Sequence, residues 1–436
     1  MIISGIAYLS LIWPCISHSK LNLSFKWIFG LGLLFRLLFI PSTPIWEDDF
    51  YRYFFDGSLV KQGLNPYEYA PLQAFERPAF DGAEALGLTP EPTPPHPDLL
   101  FLQQEPLLDR VAYPHIKTIY PPVTQAVFAL SQIINPFNLI VWRVILILFD
   151  LITFYLLYQL LIRIGKPVTY SAIYWLNPLL ITETVNAGHM DVLLAPLLVA
   201  ALLMVAIKRI SFSGIALALA AGVKLWPLIL APSIFRTYLN SINSLFKVSL
   251  PLIFLTIILL SPQFLSSLNE DAGVSNYAQY WKTNTFMFAW LEAGITSVSE
   301  LAFMPFFDPN IASRLIVGAL VISIVIAVSL RPWSSIEELA TQWLVIIATL
   351  FLLSPTGYPW YVIWFMPLLC IKPNRALLLL TALLPLYDLR YPLEANGLLP
   401  IFENVIVTIE FLPVLVLLVW YLWNKKPKAE SAIRSV

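Results

Sequence analysis

Charge is what this sequence has least of. Lysine, arginine, aspartate and glutamate make up 12% of its 436 residues, while 58% are hydrophobic. A soluble domain is roughly one quarter charged, so the composition excludes an ordinary soluble enzyme and describes a polytopic membrane protein. The formal net charge of -1 gives nucleic acid nothing to bind. Cysteine is scarce too: Cys15 and Cys370 both lie in apolar runs, which argues against a disulfide framework and a cysteine-based metal site. Neither a Rossmann-type glycine fingerprint nor a P-loop is found, so nothing marks a nucleotide site. The first residues, MIISGIAYLSLIWPCIS, have no basic n-region and no A-x-A-like cleavage site, and read as a retained helix rather than a signal peptide. No segment reads as a soluble domain. No two halves match, a weak argument against the repeat-built transporters.

What is abundant is apolar sequence in lengths suited to a bilayer, where about 20 residues span. Candidate spans run over 1–17, 25–41, 138–162, 168–185, 190–207, 211–238 as a short pair, 245–262, 309–330, 337–354, 358–371, 376–390 and 401–423. The expected fold is a single all-α polytopic membrane domain over 1–436, a bundle of about 11–14 transmembrane helices. Segment 121–134 either crosses or returns to its own side. Basic residues set the orientation. Lys20, Lys26, Arg163, Lys166, Lys208, Arg209, Arg236, Lys247, Arg331, Lys372, Arg375 and the tail 424–436 mark the cytoplasmic side. Segments 42–119 and 263–308 then lie outside, provided that 121–134 does not cross.

Segment 42–119 holds twelve acidic against five basic residues and is far longer than a connector needs to be. Aromatic and aliphatic residues at helical spacing predict two or three short amphipathic helices at the membrane surface, with TPEPTPPHPD at 89–98 as a linker. It opens on WEDDFYRYFFDG, three consecutive acids and then Asp56, directly after an apolar stretch.

Ionisable groups at membrane depth are costly and mark function by default. They gather here at the outer ends of helices: Asp48, Asp49 and Asp56; Glu183, His189 and Asp191; Lys224; Asp388 and Arg390. A partly desolvated Asp48 or Asp49 suits a general base acting on a hydroxyl; either also suits the N-terminus of a helix beginning at YRYFF. His189 and Asp191 in GHMD suit a metal or phosphate, or a polar turn that caps the next span. One histidine and one aspartate fall short of a zinc site. Lys224 either snorkels to an interface or offers a point charge to a buried phosphate. Arg143 and Asp150, seven apart on one helix, are expected to pair within the membrane. The aromatic clusters at 120–122, 276–284 and 354–364 belong in part to an interfacial belt. The prolines and glycines among them call for shaped outer loops.

These motifs together resemble the GT-C polytopic glycosyltransferases. They are most similar to bacterial polyprenyl-phosphate-mannose-dependent mannosyltransferases and to the catalytic subunit of GPI mannosyltransferase I. The likeness rests on DDFYRYFFDGSLVKQGLNPYEYAP, TIYPPVTQAVF, NPLL with GHMD, AGVKLWPLILAP and SPTGYPWYVIWFMPLL, from about residue 46 to about 370. It implies an inverting transfer of a sugar, mannose by the nearest likeness, from a polyprenyl- or dolichyl-phosphate donor to a hydroxyl of a glycolipid or glycan. The reaction would occur at the outer, periplasm-facing side of the plasma membrane. Asp49, with Asp48 as the alternative, is the implied base. Lys224, Arg52 and His189 are implied at the donor phosphate, and Tyr51, Asp56, Asn65, Tyr67, Tyr120 and Asp191 at the substrates. A D-x-D pair would be incomplete, since Phe50 stands at its second acid when Asp48 is the first. No metal or other cofactor is therefore implied. Besides donor and acceptor, the partners are membrane lipids. The competing class is a transporter or flippase, which would place its charges near the midplane on discontinuous helices. A non-catalytic scaffold would tolerate neutralising both aspartates.

Overall fold

The computed structural model describes residues 1–18, 24–75, 94–103, 105, 110–268, 272–301 and 308–424. Residues 89–93 of the linker and part of the DLLFLQQEPLLDRV stretch lie outside them. The described chain is helical, without strands; the isolated parallel bridge between Thr283 and Thr356 is its one β-type pairing.

Local signals in the sequence account for the helix ends. Helix α1 covers Ile2–His18 and α2 covers Phe25–Phe39. Helix α3, Asp49–Lys61, starts from Asp48 and ends where Gly63 turns left-handed at φ 75°, a conformation glycine adopts without Cβ strain. Helix α4, Pro122–Ile134, opens on a proline at its first position, where the missing N–H costs nothing. Helix α5, Leu139–Arg163, is capped by the Asn138 side chain, which accepts from the Val141 N–H at 3.1 Å. The pair α6, Pro178–Asn186, and α7, Met190–Ala206, is bent by 106°. Helix α8, Ile210–Val223, stops at Lys224 just before Trp226–Pro227. Then come α9, Ile242–Ser266; α10, Met287–Leu301; α11, Pro309–Ser329; α12, Ile336–Leu353; α13, Arg375–Ala395; and α14, Leu399–Asn424.

Among the described residues six helices are long and apolar enough to cross a membrane: α5, α9, α11, α12, α13 and α14. The bent pair α6–α7 makes a seventh if it is one span. The remaining spans read from the sequence are shorter helices, which accounts for the larger count expected. Helix α4 has 13 residues and reaches about 20 Å, short of the roughly 30 Å hydrocarbon core. It packs along α3 instead, so closely that a Cβ on Gly57 would sit 2.5 Å from the Phe128 carbonyl oxygen. Helix α3 is accordingly buried along most of its length, from Phe50 to Leu59, rather than lying with one face open.

The bundle has two chemically distinct ends. At one, Glu337 takes Lys166 at 2.6 Å and Lys372 at 2.8 Å, gathering three of the basic connections. At the other, beyond the first turns of α5, Arg143 donates to the Ile40 and Ser42 carbonyls at the exit of α2 and to the Asn186 carbonyl at the α6–α7 break. The expected Arg143–Asp150 pair does not form. Asp150 is taken by Arg36 of α2 at 2.5 Å, both fully buried, with the guanidinium over the Trp175 ring. Seven residues share a helix face but lie about 10 Å apart along the axis, so the nearer cation from a neighbouring helix wins.

Candidate active site

Four chain segments end at one place. Asp49 is the first residue of α3, His189 lies in the α6–α7 break and Asp191 in the first turn of α7, and Lys224 is the residue that ends α8. The short helix Pro359–Trp364 supplies an aromatic wall. Each position follows from backbone punctuation: Gly188 turns at φ 77° before His189, and Pro227 prevents α8 from continuing past Lys224. A lysine at a helix C-terminus is also favoured by the helix dipole.

The cationic part is built around Asp191. Its Oδ1 accepts from Lys224 Nζ at 2.7 Å and from Trp364 Nε1 at 2.6 Å. The ammonium sits over the rings of Tyr361 and Trp364, 4.2 and 4.9 Å from their centroids, which holds it without adding a second anion.

The acidic part surrounds His189. Its Nδ1 is 3.7 Å from Asp49 Oδ2; its Nε2 is 3.4 Å from Glu183 Oε2 and 3.9 Å from Glu47 Oε2. None of these is a hydrogen bond in the present geometry, and both ring nitrogens are buried without a partner among the described residues. The imidazole stacks on Trp360 at 3.7 Å, which fixes its plane. Asp49 also receives a long contact from the Tyr53 hydroxyl at 3.5 Å, and Tyr391 donates to Glu47 at 2.7 Å.

Burial raises the carboxyls at the mouth of this cleft. Asp49 is pushed up to about 7, first by desolvation, then by the charges of Asp48 and Asp191, with Lys224 pulling the other way. Glu47 is pushed up to about 8, chiefly by burial and then by Asp49. Asp48 is raised by burial, against the pull of Arg110. Asp48 stands at the helix N-cap but its side chain makes no capping bond. Asp49 keeps 33% of its side chain open to the cleft. A carboxylate of this kind takes a proton from an incoming hydroxyl near neutrality.

The other residues singled out by sequence lie behind this cleft. Arg52 is held by Asp56 at 2.9 Å and donates to the Ile116 carbonyl. Asp56 also accepts from Thr118 and Gln125, so the pair fastens α3 to α4 and to the chain before it. Tyr51 lies under Arg110, Tyr67 donates to the Tyr120 carbonyl, and Asn65 bonds Glu68 and the Tyr67 N–H within its own turn. Tyr120 meets Tyr53 edge to face. Sequence reading assigned no role to Glu47, Tyr391 or the Trp360–Trp364 wall. Glu47 sits beside Asp48 and Asp49 in the chain, and the wall lies in the proline-rich aromatic stretch at 354–364, so both signals were present. Among the described residues no group of three His, Cys, Asp or Glu side chains is arranged to hold a metal ion.

One end of the bundle thus gathers a carboxyl raised toward neutrality, an ammonium held by Asp191 and an aromatic wall. Residues 113–239, under a third of the chain, match the family described as alpha-(1->6)-mannopyranosyltransferase, N-terminal domain. By that family the chain is a glycosyltransferase of the mannosyltransferase kind. The match takes in α4 to α8, including His189, Asp191 and Lys224. A search of curated proteins gives no match.

Proposed function

We propose that the chain transfers mannose, with inversion, from a polyprenyl- or dolichyl-phosphate carrier to a hydroxyl of a glycolipid or glycan at the outer face of the plasma membrane. The observation that carries this reading is the pairing in one cleft of Asp49, raised to about 7, with Lys224 held by Asp191. An acceptor hydroxyl at Asp49 loses its proton as its oxygen attacks the anomeric carbon. The bond from that carbon to the phosphate oxygen breaks, positive charge spreads over the sugar ring as in glycoside cleavage, and negative charge collects on the leaving phosphate. Lys224 is the cation aimed at that phosphate, and it needs no reorganisation because Asp191 and two rings already hold it. His189, wedged between Asp49 and Glu183, completes the hydrogen bonds as substrate closes the cleft. A lipid carrier explains the placement: its tail stays in the bilayer and its sugar is presented at the helix ends.

The test is transfer of radiolabelled mannose from polyprenyl-phosphate mannose in membranes containing wild type, Asp49→Asn or Asp48→Asn. Loss of transfer in Asp49→Asn at intact expression, with Asp48→Asn active, supports the assignment. Equal transfer in all three refutes the base. No transfer in wild type refutes the donor or the acceptor class.

A further inference from the structure

A cavity of about 450 Å³ opens beside the cleft, between Tyr113, Trp281, Lys282, Thr283, Tyr358 and Arg390. That volume is in the range of small-ligand pockets, ~300–1,000 Å³. Three distant segments build it: the end of the first outer segment, the second outer segment, and the loops flanking the last spans. They are tied together. The Gly357 N–H donates to the Thr283 carbonyl and the Thr283 N–H to the Pro355 carbonyl, Trp281 Nε1 donates to the Tyr358 hydroxyl at 3.1 Å, and Arg390 donates to Thr283 at 2.7 Å. Tyr113 meets Trp281 edge-on at 4.3 Å and holds a left-handed backbone at φ 51°. Such strain in a non-glycine residue is characteristic of ligand clamps. The cavity adjoins the carboxylates through a stack of rings, Tyr358 on Trp360 at 4.3 Å and Trp360 on His189 at 3.7 Å.

The lining combines four aromatic rings, an amide and a hydroxyl with His115, Lys282 and Arg390, and among the described residues it includes no carboxylate. Rings with nearby polar donors suit a pyranose, and a site with cations and no acids suits an anion. Lys282 and Arg390 pair with Glu292 at 2.8 Å and Glu394 at 3.3 Å, and one member of each pair is about half open to solvent. Such part-exposed pairs are weak and yield to a better-placed anion. Arg390 presents the planar fork that matches carboxylate or phosphate. We infer that this cavity is the acceptor subsite and that the acceptor saccharide it takes carries an anionic group, a phosphate or a uronate. The inference rests on the glycosyltransferase reading, and binding tests it without requiring transfer.

The full-length protein in detergent is titrated by calorimetry with methyl α-mannoside, its 6-phosphate and the corresponding uronate. Expected is at least tenfold tighter binding of the two charged probes, an advantage that shrinks at high salt. Arg390→Gln removes the advantage, Arg390→Lys keeps part of it, and Trp281→Ala weakens all three probes. Asp49→Asn, which stops transfer in the proposed reaction, leaves the preference intact. Equal affinity for neutral and charged mannosides overturns the inference. So does an advantage that survives Arg390→Gln, inorganic phosphate binding as tightly as the mannoside phosphate, or displacement of the probes by polyprenyl phosphate, which would make this the donor's site. If Arg390→Gln fails to fold, the wild-type comparison and Arg390→Lys still decide. Anion preference without lipid-linked transfer would retain the subsite and discard the donor; transfer without anion preference would do the reverse.

Discussion

Lys224 and Asp191 come from different helix ends and meet at 2.7 Å in the cleft, with Trp364 donating to the same carboxylate oxygen. The arrangement sets the ammonium in place before any substrate arrives. Lys224→Gln removes the charge aimed at the leaving phosphate, and removal of one such stabilising group costs about 10²–10³ in kcat. Asp191→Asn leaves the ammonium without its anion. It should lower thermal stability, by roughly 3 kcal/mol on the scale for orphaning one partner of a buried pair, and raise the donor KM. Steady-state mannosyl transfer and thermal unfolding of the purified variants measure both effects.

The raised Asp49 carboxyl gives the reaction a pH signature. A base works deprotonated, so kcat/KM should climb about tenfold per pH unit up to the folded value of about 7 and level off above it. Asp48 contributes to that rise as a like charge. Asp48→Asn should therefore move the acid limb to lower pH while keeping the plateau. A pH profile of kcat/KM for the two proteins shows it; an unmoved limb would disconnect the two carboxyls.

The same shifts act on folding. Glu47 and Asp49 hold protons in the folded state at pH values where the unfolded chain has released them. Between the ordinary carboxylate range and about pH 8 the folded state binds more protons, so stability falls as pH rises through that window. The melting temperature should decline from about pH 4.5 to about pH 8, and the slope should flatten in Glu47→Gln. A flat profile in wild type would mean that these groups ionise as freely folded as unfolded.

Much of this site was legible because its punctuation is local. The acids before YRYFF, the glycine in GHMD and the tryptophan–proline after Lys224 each mark a helix end, and charged side chains at helix ends converge when the helices pack. Partner choice was not legible in the same way. Glu47 is bonded by Tyr391, 344 positions away, and no spacing rule links the two. Arg143 and Asp150 share a heptad face, yet Arg36 and three carbonyls divide them between other helices. Arg52 and Asp56, which the resemblance assigned to donor phosphate and substrate, bond each other and fasten α3 to α4, contacts that no spacing in the sequence announces. Local order was encoded in nearest neighbours along the chain, and pairing across the bundle depended on which helix lay closest.

The Arg36–Asp150 pair is fully buried, with Arg36 also donating to the Gly32 and Trp175 carbonyls. Asp150→Asn should orphan the guanidinium and destabilise the protein by about 3–5 kcal/mol. Replacing both by similar-sized neutral residues, Arg36→Met with Asp150→Leu, should recover most of that loss. A double-mutant cycle in thermal unfolding gives the coupling, and equal losses in single and double variants would show that the pair matters through its packing alone.

Helix α3 carries Asp49, so its seating on α4 decides where the base points. Gly57 makes that seating possible, since an added Cβ would lie 2.5 Å from the Phe128 carbonyl oxygen, a backbone atom that cannot turn aside. Gly57→Ala should therefore push the helices apart, at an overpacking cost of about 1–3 kcal/mol, although alanine is the better helix former. Gly30, with nothing within 4 Å of its added Cβ, is the control: Gly30→Ala should leave the melting temperature unchanged or raise it. Because the displacement in Gly57→Ala moves Asp49 relative to Lys224, kcat should fall even at temperatures where the variant is fully folded. Unchanged kcat alongside a lowered melting temperature would mean that the base is positioned by His189 and Tyr53 rather than by the α3–α4 contact.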